Sequence, residues 1–341
     1  MSVDLEVLLN DVMDKSGIAH KRSIQNIASL LSNAITNPDH PNGDDSAAMI
    51  NADGFDLLAG EGFISEFVNT DPWFAGWCGI MVNVSDIAAM GGRATAVINT
   101  IWSDDDELIK EIYSGMSKAS KVFNVPIVGG HTNLNSDSTQ LAVSIFGKAK
   151  SLLSSFDAKP DHALVAAIDL RGAFREPFLN WNAATSAPAE RLRGDLELLP
   201  KIAELRLAHS AKDISQAGLL GTTVMLLESS EVGAEIDLMQ IPKPDQVKWL
   251  DWLCCFPSFG YLLTTPIEKL DQLLETFKAR DIHAAQIGRI TEDKLMRIHY
   301  QDQTQTFWNI DKQPLTGMTK QNQPHTSKKT VNTKPMDVNY A

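Results

Sequence analysis

The segment from Asp71 to Gly92 restricts the fold more than any other part of the chain. Asp71-Pro72 is a strong helix start, with Asp as the cap and Pro at the first helical position. Trp73, Trp77, Ile80, Val84 and Ala88 then recur on one face, and Gly91-Gly92 stops the run. The opposite side holds Ala75, Gly79, Val82 and Met90, so this helix is apolar all round and belongs inside the molecule. Asp86 lies on it. An ionised carboxylate is expensive to bury unless it meets a cation or strong donors. Asp86 is therefore a candidate functional charge, against the alternative of a carboxylate satisfied by backbone N–H groups.

Two other stretches set Asp beside small residues in apolar surroundings. They are Gly43-Asp44-Asp45-Ser46-Ala47-Ala48-Met49 and Lys212-Asp213-Ile214-Ser215-Gln216-Ala217-Gly218. Carboxylates converging from distant parts of a chain suggest a divalent metal and, behind it, a polyphosphate, because Mg²⁺ takes a few carboxylates plus phosphate oxygens. Each stretch also has a plainer reading. Gly-Asp-Asp makes a surface turn, and Asp213 or Ser215 caps the helix that follows. A helix N-terminus with Ser and nearby Gly is equally a phosphate site. Asp56 interrupts the apolar Phe55-Asp56-Leu57-Leu58, which strand alternation alone would explain, with Glu61 shortly after it. Val128-Gly129-Gly130-His131-Thr132-Asn133 follows a strand and reads as a loop that can aim backbone N–H groups at an anion. His131 is a ligand, a base or an ordinary loop histidine. There is no Walker loop, dinucleotide fingerprint, kinase signature or Gly-x-Ser-x-Gly elbow.

Composition narrows the partners. With 341 residues the chain can hold two domains, each with its own core. The net charge of -13 and the lack of any basic run beyond Lys328-Lys329 argue against nucleic acid. No apolar run approaches the roughly 20 residues that cross a bilayer, and the acidic, alternating N-terminus does not read as a secretory signal. Three cysteines, two of them adjacent, form neither a disulfide framework nor a zinc spacing, so a cytoplasmic protein is expected.

The periodicity predicts helices over 1–35, a polar loop at 37–43, and strands at 44–50 and 55–58. After the central helix come a strand at 94–101, a helix at about 104–122, and strands at 125–128 and 140–146. A polar break at 151–161 opens a second unit. It has strands at 162–169, 233–238, 261–264, 283–290 and 295–300, and helices near 188–208, 217–229 and 266–280. The expected class is α/β (α+β), with domains at 1–150 and 155–311. A polar, flexible tail is expected over 312–341.

The order of these segments resembles the superfamily of aminoimidazole ribonucleotide synthetase, thiamine-monophosphate kinase, selenophosphate synthetase and the hydrogenase-maturation protein HypE. It rests on Gly-Asp-Asp-Ser-Ala-Ala-Met, Asp56 with Glu61, Asn83-Val84-Ser85-Asp86-Ile87-Ala88-Ala89-Met90-Gly91-Gly92, Gly129-Gly130-His131-Thr132 and Asp213-Ile214-Ser215-Gln216-Ala217-Gly218-Leu219-Leu220. It covers about residues 20–300, and Ser-Asp-Ile-Ala-Ala-Met-Gly is its most specific part. The resemblance implies a two-domain PurM-like fold whose N-terminal domains form an intersubunit β-barrel in a homodimer. It implies ATP in a cleft near that interface, with Mg²⁺ between triphosphate and acidic side chains. On that basis Asp44, Asp45, Asp56, Asp86 and Asp213 are metal candidates, and Asp86 and Asp213 are catalytic candidates. Asp45, Gly129, Gly130, Thr132, Ser215 and Gly218 are the nucleotide-binding candidates.

Departures matter as well. His131 and Gln216 stand where the thiamine-monophosphate kinases usually carry Asp. No Cys precedes Cys78, unlike selenophosphate synthetase, and the sequence closes on Asn339-Tyr340-Ala341 rather than the terminal Cys of HypE. The expected function is ATP- and Mg²⁺-dependent γ-phosphoryl transfer to, or activation of, a small-molecule acceptor. The alternative is a nucleotide-binding subunit that acts as partner or sensor.

Overall fold

The computed structural model describes residues 3–31, 37 and 40–319. Three short helices come first: α1 (Leu5–Met13), α2 (Ser16–Arg22) and α3 (Gln25–Leu31). The next unit is a five-stranded sheet of β1 (Ala47–Asn51), β2 (Gly54–Phe63), β3 (Arg93–Trp102), β4 (Ile127–Asn133) and β5 (Gln140–Ala149), in the order β1-β2-β5-β3-β4. All neighbours are antiparallel except β3 and β4.

Between these strands run α4 (Ser65–Thr70), α5 (Pro72–Ala89) and α6 (Asp106–Phe123). The expected central helix is α5. Asp71 accepts from the Phe74 N–H at 3.2 Å, Pro72 opens the first turn, and Gly91 at φ +75° ends it. Helices α5 and α6 cover one sheet face, where Leu57, Val97, Ile101, Leu141, Val143 and Ile145 are buried. The alternating residues of the other face are not covered by any described residue: Leu58 is 49% and Ile98 47% exposed.

The second unit adds β6 (Ala163–Ile168), β7 (Ala173–Phe174), β8 (Asn180–Asn182), α7 (Ala189–Leu196), α8 (Leu198–Glu204), β9 (Ser210–Asp213) and α9 (Gly218–Ser230). It continues with β10 (Gly233–Asp237), α10 (Trp249–Leu253), β11 (Phe256–Pro257), β12 (Gly260–Thr265), α11 (Leu270–Lys278), β13 (His283–Thr291), β14 (Leu295–Tyr300) and β15 (Gln303–Asn309). Seven of the strands form a sheet in the order β15-β14-β10-β13-β6-β12-β9. Strand β6 is buried at every residue because the sheet has a core on both faces. Leu164, Ala166 and Ile168 face the layer of α1 and α9, and Val165 and Ala167 that of α8 and α11.

Two boundaries differ from expectation. Leu5, Leu8, Leu9, Val12 and Ile18 of α1 and α2 pack into the core of the second unit, not the first, so that unit is assembled from both ends of the described chain. The apolar stripe of α1 is legible in sequence; which sheet it covers is not. The ordered chain also runs past 311. Leu315 is fully buried, and Glu228 accepts from the Leu315, Thr316 and Gly317 N–H groups, so a segment whose composition reads as tail is docked. The remainder of the expected tail, 320–341, lies outside the described residues, as does part of the expected loop at 37–43. Among the described residues no helix is long and apolar enough to cross a membrane.

Candidate active site

The two units and the N-terminal helices enclose a cleft of about 820 Å³, within the range of small-molecule sites. Its acidic floor comes from four places in the chain. The turn before β1 brings Asp44 and Asp45, β2 brings Glu61, the last turns of α5 bring Asp86, and the end of β9 brings Lys212 and Asp213. Lys15, His20 and Lys21 line the cleft from the N-terminal helices. Phe63, Phe67, Phe178 and Phe256 supply apolar wall.

Within the floor the charges are unequally satisfied. Lys212 Nζ bonds Asp45 Oδ1, and Asp45 Oδ2 accepts from the Asp213 N–H at 3.2 Å. Burial alone would discharge Lys212, but the carboxylates of Asp45, Asp44 and Asp213 outweigh it and hold the ammonium charged. Asp86 is different: it is buried, and among the described residues its Oδ2 has no hydrogen-bond partner. Burial, then repulsion from Asp213, Glu61 and Asp45, pushes its carboxyl well above the usual range, with Lys212 pulling the other way. Burial and the Asp45 charge push Asp213 up to about 8. Glu61 is raised by burial, partly offset by Lys21. A buried cluster of carboxylates sharing one paired ammonium is short of positive charge. Among the described residues no three His, Cys, Asp or Glu side chains converge closely enough to hold a metal ion unaided. A cation here would need further oxygens from a ligand, as Mg²⁺ takes from phosphates.

Asp44 stands beside this group but is already saturated. It accepts from Ser154 Oγ at 2.8 Å, Ser155 Oγ at 2.7 Å and the Ser155 N–H at 3.1 Å, and pairs with His40 Nε2 at 3.1 Å. Burial would raise its pKa, but these donors and Lys212 hold it below the usual range. Asp44 thereby ties its turn to the segment leaving the first sheet.

Other expected residues lie elsewhere. Asp56 and Glu61 are five apart on β2, so the pleat sends them to opposite faces. Asp56 accepts from Asn51 Nδ2 at 2.8 Å and does not line the cleft. Gly129, Gly130 and Thr132 are not a loop but the middle of β4, the edge strand beside β3. They lie outside the cleft of the single chain, with Thr132 Oγ1 at 3.3 Å from Tyr113 Oη. The glycines read as a turn, but on this edge Gly130 serves packing: a Cβ there would come within 2.4 Å of the Asn99 carbonyl oxygen, whereas Gly129 has room for one.

Ser215 and Gln216 line the cleft, and Ser215 Oγ is buried without a partner among the described residues. Gly218 does not line it. Its φ of +69° and a Cβ position 2.1 Å from the Leu253 carbonyl oxygen account for the glycine. The residues not singled out in sequence are His40, Ser154, Ser155, Lys15, His20 and Lys21. Nothing local marked them, because their role comes from tertiary contacts.

Residues 43–149 match the AIR synthase related protein N-terminal domain, and residues 175–301 match the C-terminal domain of the same family. A protein of Synechocystis sp. is 40% identical over 317 residues, covering 92% of this chain and 98% of its own. The thiamine-monophosphate kinase of Pyrococcus abyssi is 31% identical over 238 residues, covering 65% of this chain and 74% of its own. Among solved structures, AaThiL complexed with AMPPCP and TMP superposes with a TM-score of 0.62 at 18% identity, covering 84% of this chain and 96% of that one. Thermotoga maritima PurL complexed with ATP gives a TM-score of 0.71 at 17% identity, covering 93% of this chain and 53% of that one. This chain thus spans about half of that PurL, and at these identities the structural likeness speaks for the fold. The two-domain α/β architecture is the PurM-like one, and the chain belongs to the AIR synthase-related family.

Proposed function

We propose that the cleft binds Mg-ATP and that the protein is an enzyme that transfers the γ-phosphoryl group to, or activates, a small-molecule acceptor. The observation that carries this reading is Asp86, a buried carboxylate with an unpartnered oxygen, facing a cleft beside Asp213 and Glu61. The donor set fits Mg²⁺: hard carboxylate oxygens, too few to complete a shell without phosphate. Asp86 and Asp213 would hold the ion, with Asp45 behind them. Bound there, Mg²⁺ would supply neutralisation of triphosphate charge.

The chain's own groups divide the remaining work. Lys212 is committed to Asp45 and sets the floor, leaving Lys15, His20 and Lys21 on the cleft wall to face the triphosphate. Ser215 Oγ is a free donor beside Asp213. Asp44, with all its donors internal, anchors the turn instead of binding metal. The ATP-complexed PurL and the kinase among its relatives support the nucleotide; the acceptor has no such support.

The test is ADP release from Mg-ATP across candidate acceptors, run with thermal stabilisation by Mg-ATP. Acceptor-dependent ADP release that falls at least about a hundredfold in Asp86→Asn supports the enzyme. Stabilisation without turnover on any acceptor favours the second reading, a nucleotide-binding subunit. Gln216 on the cleft, where the kinases of the resemblance carry Asp, is the observation behind that alternative. No stabilisation by nucleotide sinks both.

The uncovered face of the first sheet supports a homodimer. Leu58, Ile98, Met49 and Val128 are large, apolar and exposed on that sheet, a combination that marks an association surface. Asp56 and the glycines of β4 belong to the same sheet, so a second copy packed there would adjoin them. Ile98→Glu is expected to weaken self-association at least about a hundredfold, because it buries an unpaired charge. Sedimentation equilibrium reads this directly, and an unchanged dimer would assign the contact to another face.

A further inference from the structure

The segment that sequence assigns to the tail carries an unexplained device. Glu228, on α9, is 1% exposed, and its carboxylate faces the chain after β15. Oε1 accepts from the Leu315 N–H at 2.9 Å and the Gly317 N–H at 3.1 Å. Oε2 accepts from the Thr316 N–H at 2.8 Å and Thr316 Oγ1 at 2.6 Å. Three successive backbone N–H groups converge on one anion, which the positive φ of Gly317 (+75°) permits. Thr316 Oγ1 accepts in turn from the Met318 N–H at 3.2 Å.

From this anchor the segment reaches the N-terminal helices and the turn before β1. Gln25 Nε2 of α3 donates to the Pro314 carbonyl and, at 3.1 Å, to the Leu315 carbonyl. Met318 lies over Gly43, where a Cβ would come within 2.6 Å of the Met318 Cβ, and Gly43 adopts φ +108°. Gly43 is the residue before Asp44 and Asp45. Thr316 and Met318 both line the cleft.

We propose that residues 314–318 are a strap that sets the position of the Gly43-Asp44-Asp45 turn, with Glu228 as its anchor and Met318 as its contact. Glu228 and Met318 are thus positioning residues: they touch the turn or its support, not the floor of the cleft. The strap explains why Glu228 is a carboxylate inside an apolar helix. It also makes the C-terminal segment part of the site's scaffold, beyond the 175–301 match to the family's C-terminal domain.

The experiment is residue-resolved amide exchange on the full chain, without nucleotide. Glu228→Gln keeps the shape but sets an NH₂ against N–H donors. Exchange at Leu315, Thr316 and Gly317 is expected to rise at least about tenfold, the equivalent of one charge-assisted hydrogen bond. The strap predicts a parallel rise at Asp45 and Ser155, whose amides are bonded through the turn. Met318→Ala leaves the anchor and should raise exchange at Asp45 and Ser155 but not at Leu315, Thr316 and Gly317. If either variant leaves the turn's exchange at the wild-type rate, the segment is a mere terminal dock and the proposal is overturned. Because no nucleotide is used, this outcome is independent of the ATP reading. A strap that behaves as described in a protein that Mg-ATP fails to stabilise would sink that reading alone.

Discussion

At pH 8, Asp86→Asn makes the ligand-free protein more stable, on the order of 1–4 kcal/mol, because a neutral amide there neither bears an unpaired buried charge nor has to take up a proton on folding. The same change removes stabilisation by Mg-ATP. Burial and the neighbouring Asp213, Glu61 and Asp45 hold the folded-state pKa of Asp86 well above its unfolded value. Between those two values the folded form binds more protons than the unfolded form. Stability from this group is therefore full in acid and declines as pH rises past about 4, by at most about 1.4 kcal/mol per pH unit. Asn has no such decline, so its advantage is small at pH 5 and grows to pH 8. Asp213, pushed up to about 8, adds a slope of the same sign across the same window. Urea titrations of both proteins at pH 5 and pH 8 measure the difference. A variant less stable than wild type at both values would mean that the Asp86 charge supports the empty fold, and the cleft would lose its claim to a cation.

Asp86 was legible because a helix apolar on every side leaves a carboxylate nowhere to go but inside. The cap at Asp71, the Pro at the first position and the Gly91-Gly92 stop fixed α5 to within a residue or two. The β2 pattern held an equally clear message. Residues 56 and 61 differ by an odd number, so one faces the helices and the other the open sheet, which separates Asp56 from the cleft. Other features were beyond local reading. Ser154 and Ser155 look like linker, and only the tertiary fold carries them to Asp44, 110 and 111 residues away. The Glu228 anchor is hidden more deeply, because its donors are mostly backbone N–H groups, which every residue except proline owns. Gly130 is the converse case: glycine favours turns, yet an edge strand accepts it where a neighbouring backbone comes close.

Lys212→Met is expected to cost about 3–5 kcal/mol, the penalty for removing one partner of a buried ion pair. Sequence shows Lys212 as a neighbour of Asp213; the fold makes it the buried counter-ion of Asp45. Met preserves the stem and its packing, so the loss reports the ammonium. Lys212 lowers the pKa of Asp44, Asp45, Asp86, Glu61 and Asp213 alike. Without it Asp45, Asp86, Glu61 and Asp213 rise further and Asp44 loses part of its depression, and the cost is larger at pH 8 than at pH 5 because the folded state must then hold protons or bear unpaired charge. Asp45→Asn in the same chain should return more than half of the loss, since the most exacting of those charges is then gone. The double-mutant cycle, by urea titration at both pH values, reads the coupling directly. Strictly additive costs would show that the pair is not an energetic unit. Lys212 would then be free to meet a phosphate, and the division of labour between the floor and the lysine-lined wall would have to be reversed.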